Sequence, residues 1–253
     1  MIFYYSGCGN SAFVAETLSE LLGEGMRFIP DMMGHDKVPD YTFGDDEALG
    51  LVFPVYSWAP PAIVTHFVES LHMEGKPSFV YMVCTAGDDI GCTAEMMAQT
   101  LRKRDLELSS AYSVIMPETY INLPGFQLDS PEGEQRKIGE ARALLPQIAE
   151  AIRNRRREER LHKGAMAWLK SHPVRFLFEK CLITDRPFRV LDSCVSCGIC
   201  TECCPVHNIQ LRNGRPEWQH HCIGCMACYH HCPQNAIHFG KQTIGKGQYY
   251  FGH

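Results

Sequence analysis

The chain has 253 residues, 45% hydrophobic and 21% charged, which is too long for a small iron–sulfur carrier alone and suits one medium α/β domain plus a small one. The formal charge of −5 conceals an asymmetry, since residues up to Ile152 hold 9 Lys/Arg against 22 Asp/Glu and the rest hold 15 against 7. The longest uncharged stretch, Ala48 to Thr65, is broken by Pro54, Pro60 and Pro61, so no membrane span is expected.

In chain order, Met1–Tyr5 reads as a short apolar strand leading into the glycine loop Ser6-Gly7-Cys8-Gly9-Asn10-Ser11, which leaves no signal peptide to expect. Such a small, hydroxyl-bearing loop opening a helix can wrap a phosphate with backbone N–H groups. Gly7, Gly9 and Ala12 also fit G-x-G-x-x-A, and Asp31 falls near the ribose-binding position of a dinucleotide fold, so a nucleotide-linked dehydrogenase stays open. Phe13, Val14, Thr17, Leu18, Leu21 and Leu22 form one apolar helix face.

Further strands are expected at Met26–Pro30, Ala48–Pro54, Ser78–Thr85 and Ser110–Met116. Helices are expected through Ile63, Val64, Phe67, Val68 and Leu71, after Gly91, and from Gly133 through Ile138, Ala141, Leu145, Ile148 and Ile152. Five strands in this rhythm predict a doubly wound parallel sheet with its ligand sites at the carboxyl ends of the strands. At those ends, Pro54-Val55-Tyr56-Ser57-Trp58 can sandwich a flat ring between two aromatics, and Thr85-Ala86-Gly87-Asp88-Asp89 can edge the same ring. The segment Met116–Asn122 ends the last strand on the same side, where it can meet a ring, a partner or a substrate.

The run RNRRREER from Arg153 to Arg160 is the place to look for nucleic-acid binding, but its glutamates and helical setting favour a solvated linker helix. Beyond it come CVSCGICTECCP and CIGCMACYHHCP, two copies of C-x-x-C-x-x-C-x-x-x-C-P. This spacing suits two [4Fe–4S] clusters, each taking three cysteines from one run and a fourth from the other. Cys194, Cys197, Cys200 and Cys232 would hold one cluster, and Cys222, Cys225, Cys228 and Cys204 the other. Structural zinc has no use for the third cysteine or for the proline that follows the fourth.

Ile209 and Leu211 follow the first run as Ile237 and Phe239 follow the second, so each half is a cysteine loop feeding a strand. His220, His221, His230 and His231 are expected to be exposed neighbours of the ligands, and the proline after Cys204 favours it over Cys203. The remaining cysteines, Cys8, Cys84, Cys92, Cys181 and Cys203, show no pairing pattern; a reducing, anaerobic cytoplasm is the expected compartment.

YYSGCGNSAFVA is similar to the flavodoxin phosphate loop, LVFPVYSWAPP to its ring-stacking loop, and the cysteine runs to a dicluster ferredoxin. Together with GKQTIGKGQYY they resemble the fused flavodoxin–ferredoxin proteins of the EFR-type ferredoxin family across essentially the whole chain. The resemblance implies a flavodoxin-like domain over 1–152 with FMN at Ser6–Ser11, Pro54–Trp58 and Thr85–Asp89, a helical basic linker over 153–190, a small α+β ferredoxin domain over 191–240 and a tail over 241–253. Cys8 departs from it, standing where flavodoxins commonly place threonine, which removes a hydroxyl from the phosphate cradle.

The expected function is electron relay between FMN and the two clusters, serving redox partner proteins, with no covalent catalytic residue. A reductase whose small-molecule substrate lies over the flavin, shaped by Tyr56, Trp58, Tyr120 and residues 124–132, is one alternative, and a redox sensor another. Asp88, Asp89 and the acidic first domain should push the flavin's second reduction to low potential.

Overall fold

The computed structural model describes residues 1–33, 38–123, 125–176 and 183–252, so Cys181 and Pro124 lie outside the described residues. The first domain runs β1 (Ile2–Tyr4), α1 (Asn10–Leu22), β2 (Met26–Phe28), α2 (Ile29–Met32), β3 (Asp40–Thr42), β4 (Ala48–Pro54), α3 (Ala62–Ser70), β5 (His72–Glu74), β6 (Phe79–Ala86), α4 (Thr93–Arg102), β7 (Ser110–Ile115), α5 (Pro131–Arg153) and β8 (Glu159–Arg160). Strands β2-β1-β4-β6-β7-β8 form one parallel sheet; its first five members follow the flavodoxin-like order, which turns back beside β1.

The central strands are apolar on both faces because each face is covered. Side chains alternate along a strand, so Ile2, Val52, Tyr81 and Val83 pack on α1 and α5 through Val14, Leu18, Leu145 and Ile148. Phe3, Leu51, Phe53 and Met82 pack on α3 and α4 through Val64, Phe67, Met97 and Leu101. Helix α5 starts where local chemistry starts it: Ser130 accepts from the Gly133 N–H at 3.2 Å and Pro131 occupies the first turn.

Three local features differ from expectation. The second strand stops at Phe28, because Ile29–Met32 turn helical, and β3 pairs with β5 in a separate two-stranded ribbon. The expected linker helix ends at Arg153; residues 159–160 instead lengthen the sheet beside β7, and regular helix returns only at Ala167–Leu169, followed by a π-turn at Lys170–Val174. The basic run is spent locally. Arg155 donates to Ser78 Oγ and the Asp46 carbonyl, while Arg156, Arg157 and Arg160 pair with Glu150, Glu107 and Glu158. The charge asymmetry of the two halves is thus partly cancelled along the sheet edge.

The small domain consists of β9 (Phe188–Val190), β10 (Ile209–Arg212), β11 (Arg215–Trp218) and β12 (Ile237–Phe239) with the helical turns Ile199–Glu202 and Ala227–His230. Its strand β9 pairs antiparallel with β12. Asn213 and Gly214, both at positive φ, close the β10–β11 hairpin, a two-residue Asn-Gly signal legible in the sequence. The segment from Gln248 to Phe251 packs back onto both domains. Phe251 stacks on Phe13 at 4.3 Å and donates its N–H to the Cys8 carbonyl, Tyr249 donates to Asn10 Oδ1, and Gln248 donates to the carbonyls of Tyr229 and Cys232. This strap therefore holds the two domains against each other.

Candidate functional site

A cavity of about 280 Å³ opens at the carboxyl ends of β1, β4, β6 and β7, on the side where sheet order turns back. The residues singled out at the three strand ends, Ser6 to Ser11, Pro54 to Trp58 and Thr85 to Asp89, all line it except Gly9. Gly9 caps α1 with φ +90°, a conformation a side chain would strain, and a Cβ there would stand 2.9 Å from Phe251 Cβ. Ser6 Oγ accepts the Gly9 N–H, and Ser11 Oγ lies 2.8 Å from Thr85 Oγ1, so two of the loop's hydroxyls already hold the loop's own shape.

The thiol at the departing position, Cys8, turns away from the loop and donates to the Cys225 carbonyl at 3.3 Å. Burial pushes its pKa well above the ordinary thiol value, which disfavours the nucleophilic thiolate.

Ser57 and Trp58 are both left-handed, at φ 51° and 58°, inside a tight turn closed by reciprocal bonds between Tyr56 and Ala59. Left-handed backbone at a bulky non-glycine residue is strained, on the order of 1–3 kcal/mol. The strain is sustained from the linker: Ser171 Oγ donates to the Trp58 carbonyl at 2.9 Å, and Lys170 Nζ stands 5.7 Å from the Trp58 ring centroid. The expected linker region thus forms a wall of the cavity. Lys170, among the described residues the only Lys or Arg lining the cavity, pairs with Asp89, so the site is less negative than Asp88 and Asp89 suggested.

The remaining wall comes from Pro117–Tyr120 and Asn122, and from Ile223–Met226 of the second cysteine run. Asp31 does not line the cavity, so the acid that the dinucleotide reading needed stands elsewhere. Ser57 Oγ, Asp89 Oδ1 and Asn122 Oδ1 are buried without a hydrogen-bond partner among the described residues; all three residues line the cavity. Buried polar atoms are almost always satisfied, so these fit a polar ligand that supplies the missing partners.

Glu118 accepts the N–H groups of Thr119 and Tyr120 through one carboxylate oxygen. Burial raises its pKa above the usual 4.5, which the two backbone bonds and Lys137 only partly oppose. A carboxylate whose folded pKa is raised contributes most stability below its unfolded value and loses it as pH rises through the folded one. Glu118→Gln should therefore raise the unfolding temperature at neutral pH, with the gain shrinking as pH falls from about 8 to about 5. Thermal unfolding of both proteins across that range is the check, and a gain independent of pH would contradict it.

The cysteines gather in two nests. Cys194, Cys197, Cys200 and Cys232 line one small cavity, and Cys204, Cys222, Cys225 and Cys228 line another, so each nest takes its fourth cysteine from the opposite run. Among the described residues no three His, Cys, Asp or Glu side chains could hold a single metal ion. A four-iron cube spaces its thiolates more widely than one ion does. Backbone N–H groups already face the sulfurs: Asn208 reaches Cys204 Sγ and Ala236 reaches Cys232 Sγ, each at 3.2 Å and each four residues beyond its cysteine.

Cys203 instead directs its thiol to the Cys200 carbonyl at 3.7 Å and lines neither nest. The four histidines line neither nest, and they are not all exposed: His230 is buried, with its Nε2 2.8 Å from the Thr119 carbonyl of the first domain.

The second nest adjoins the large cavity. Cys225 belongs to both linings, and a Cβ on Gly7 would stand 2.8 Å from Cys225 Cβ and 3.1 Å from the Tyr56 hydroxyl. Contacts between Gly7 and Cys225 are separated by most of the chain, so no local pattern could have announced them.

A family model described as the 4Fe-4S dicluster domain matches residues 193–237. No curated protein matches the chain. Among solved structures it is similar to a candidate flavoprotein from Bacteroides uniformis, with 15% identity, 46% of this chain and 88% of that one covered, and a TM-score of 0.37. It is also similar to the Trp repressor binding protein from Bacillus subtilis, with 10% identity, 58% and 96% covered, and a TM-score of 0.32. An NAD(P)H:quinone oxidoreductase from Methanothermobacter marburgensis matches with 13% identity, 58% and 94% covered, and a TM-score of 0.32. Likenesses at this level carry no argument about activity; strand order and the matched cysteine region define a flavodoxin-like fold joined to a small iron–sulfur dicluster domain. Among the described residues no helix is long and apolar enough to cross a membrane.

Proposed function

We propose that the chain is an electron-transfer flavo-iron–sulfur protein of the fused flavodoxin–ferredoxin kind, holding FMN in the large cavity and a [4Fe–4S] cluster in each cysteine nest. The observation that carries this reading is Cys225, which lines both the cavity and the adjoining nest. Ser6 to Ser11 would receive the phosphate at the start of α1, Tyr56 and Trp58 would flank the ring, and the free oxygens of Ser57, Asp89 and Asn122 would meet its polar edge. When bound, FMN can accept two electrons and release them singly, whereas each cluster carries one.

The chain's own part is positioning. A Cβ at Gly7 would stand 2.8 Å from Cys225 Cβ and 3.1 Å from the Tyr56 hydroxyl, so the cavity wall and the nearer nest meet at this point. The farther nest includes Cys197, which is exposed and therefore faces the solvent from which a redox partner protein would approach. That order, cavity, buried nest, exposed nest, suits a relay between a two-electron site and one-electron partners.

Anaerobic purification followed by iron and sulfide counting, mass identification of the flavin and a reductive titration tests it. Two clusters and one FMN, with electrons equilibrating among them, are expected. A protein that is colourless after reconstitution, holds only zinc, or titrates as independent centres would end the reading. A reductase with a small substrate over the flavin remains the second reading, favoured by the Tyr120–Phe126 edge-to-face pair at 5.4 Å, whose two rings also line the cavity. A ligand-dependent shift of the flavin spectrum would select it.

A further inference from the structure

The cavity has one wall whose chemistry the relay does not use. Residues 117–120 are pinned from two sides: Asn10 Nδ2 donates to the Pro117 carbonyl at 2.8 Å, and His230 Nε2 reaches the Thr119 carbonyl. Glu118 lies between these anchors and lines the cavity. Its Oε1 accepts the N–H groups of Thr119 and Tyr120 at 2.9 and 2.7 Å, which fixes the direction of the carboxyl. The other oxygen, Oε2, has no hydrogen-bond partner among the described residues. Gly87, in the cavity-lining loop after β6, makes room for the carboxyl: a Cβ there would stand 2.7 Å from Glu118 Cδ.

The charged groups around Glu118 leave it without a cation of its own. Its N–H donates to Asp129 Oδ2 at 2.7 Å, and Lys137 of α5 donates to Asp129 and to the Gly87 carbonyl, each at 2.8 Å. Two carboxyl groups thus face one ammonium that is already bound, and a proton on Glu118 balances the charge. Burial raises the Glu118 pKa in the same direction. Lys246, just before the strap, turns instead to the carbonyls of Ile121, Leu123 and Phe126, and burial keeps the Tyr120 phenol neutral. The other carboxylates of the lining are placed differently: Asp89 pairs with Lys170, and the Asp88 side chain is 87% exposed.

We propose that Glu118 is a proton donor to the ligand of the cavity, delivering a proton from Oε2 as that ligand is reduced. This rests on the reading that the cavity holds FMN, and it adds to electron relay a point where electron and proton uptake meet. The electrons come from the clusters, or from the reductant in the experiment below. The O–H bond of the Glu118 carboxyl breaks as an N–H bond forms on a ring nitrogen of the ligand. The carboxylate left behind keeps the Thr119 and Tyr120 N–H groups on Oε1 and regains its proton from solvent at the cavity's open side.

The test is anaerobic rapid mixing of the full-length, cofactor-loaded protein with dithionite, followed at the flavin absorbance across pH and in light and heavy water. Glu118→Gln keeps an acceptor for the Thr119 and Tyr120 N–H groups but carries no acidic proton. It should slow flavin reduction roughly 10²-fold and abolish the fall in rate that the unmodified protein shows as rising pH ionises Glu118. Glu140→Gln, on the exposed face of α5, should change neither. Added formate should return part of the rate to Glu118→Ala, a rescue that a purely structural carboxyl would not give. Should the variants lose their flavin, time-resolved infrared difference spectra of the unmodified protein decide. A deuterium-sensitive carboxyl C=O band that bleaches and recovers during reduction supports the donor, and no such band overturns it. An unchanged rate and pH profile in flavin-loaded Glu118→Gln would also overturn the inference. Absence of flavin from the unmodified protein after reconstitution would instead overturn the FMN reading on which it stands.

Discussion

Under the proposed relay, Cys225→Ser should disconnect the flavin from the farther cluster while leaving both in place. Serine preserves the shape of the loop but is a poor ligand for iron, so the nearer nest loses its cluster and the iron content falls to about half. The farther nest takes none of its four cysteines from the same set, and the large cavity keeps every residue but one sulfur. Electrons supplied at the flavin should then reach the farther cluster only by collision between molecules, which makes the rate depend on protein concentration.

Cys197→Ser is the matched comparison, with the same chemistry at the exposed nest. It should also halve the iron, yet leave rapid exchange between flavin and nearer cluster intact. Stopped-flow reduction followed at flavin and cluster wavelengths distinguishes the two. Equal behaviour of both variants would show that the contact between Cys225, Gly7 and Tyr56 carries no current.

Removal of Gln248 to His253 should destabilise the folded chain markedly. Tyr249 is 2% exposed and Phe251 stacks on Phe13 beside α1, and burial of such a side chain contributes roughly 1.5–3 kcal/mol each. The lost hydrogen bonds to Asn10, Cys8 and the carbonyls of Tyr229 and Cys232 add about 1 kcal/mol apiece. Because three of the contacts fall on Cys8, Asn10 and Phe13, the loop that opens α1 loses its outer support at the same time. The expected outcome is a lower unfolding temperature together with faster loss of flavin on gel filtration. Phe251→Ala should show a smaller version of both. An unchanged melting curve with flavin loss, or the reverse, would show that the strap serves one domain rather than joining two.

Much of this architecture is written in short-range pattern. Alternation and helical period placed β4, β6, α3 and α5 within a residue or two, since burial on a sheet or helix face repeats every 2 or 3.6 residues whatever the surroundings. Three loops at strand ends were legible because glycines, hydroxyls and aromatics are unusual after apolar runs. The cysteine spacing predicted two nests with exchanged fourth members, because pseudo-symmetry relates Cys204 to Cys232 in the sequence itself.

Tertiary structure alone decided how the two halves meet. Residues 159–160 read as linker until β7 offered them an open sheet edge, and no local pattern placed Lys170 over the ring of Trp58. His230 passed for an exposed neighbour of cysteines, but its ring is enclosed between Thr119 and Tyr249. The hydrogen bond from Cys8 to the Cys225 carbonyl joins residues 217 positions apart, and such contacts leave no periodic trace. Local pattern reports which face of an element avoids water; it cannot report which distant segment covers that face, because that is settled by shape and packing once the whole chain has closed.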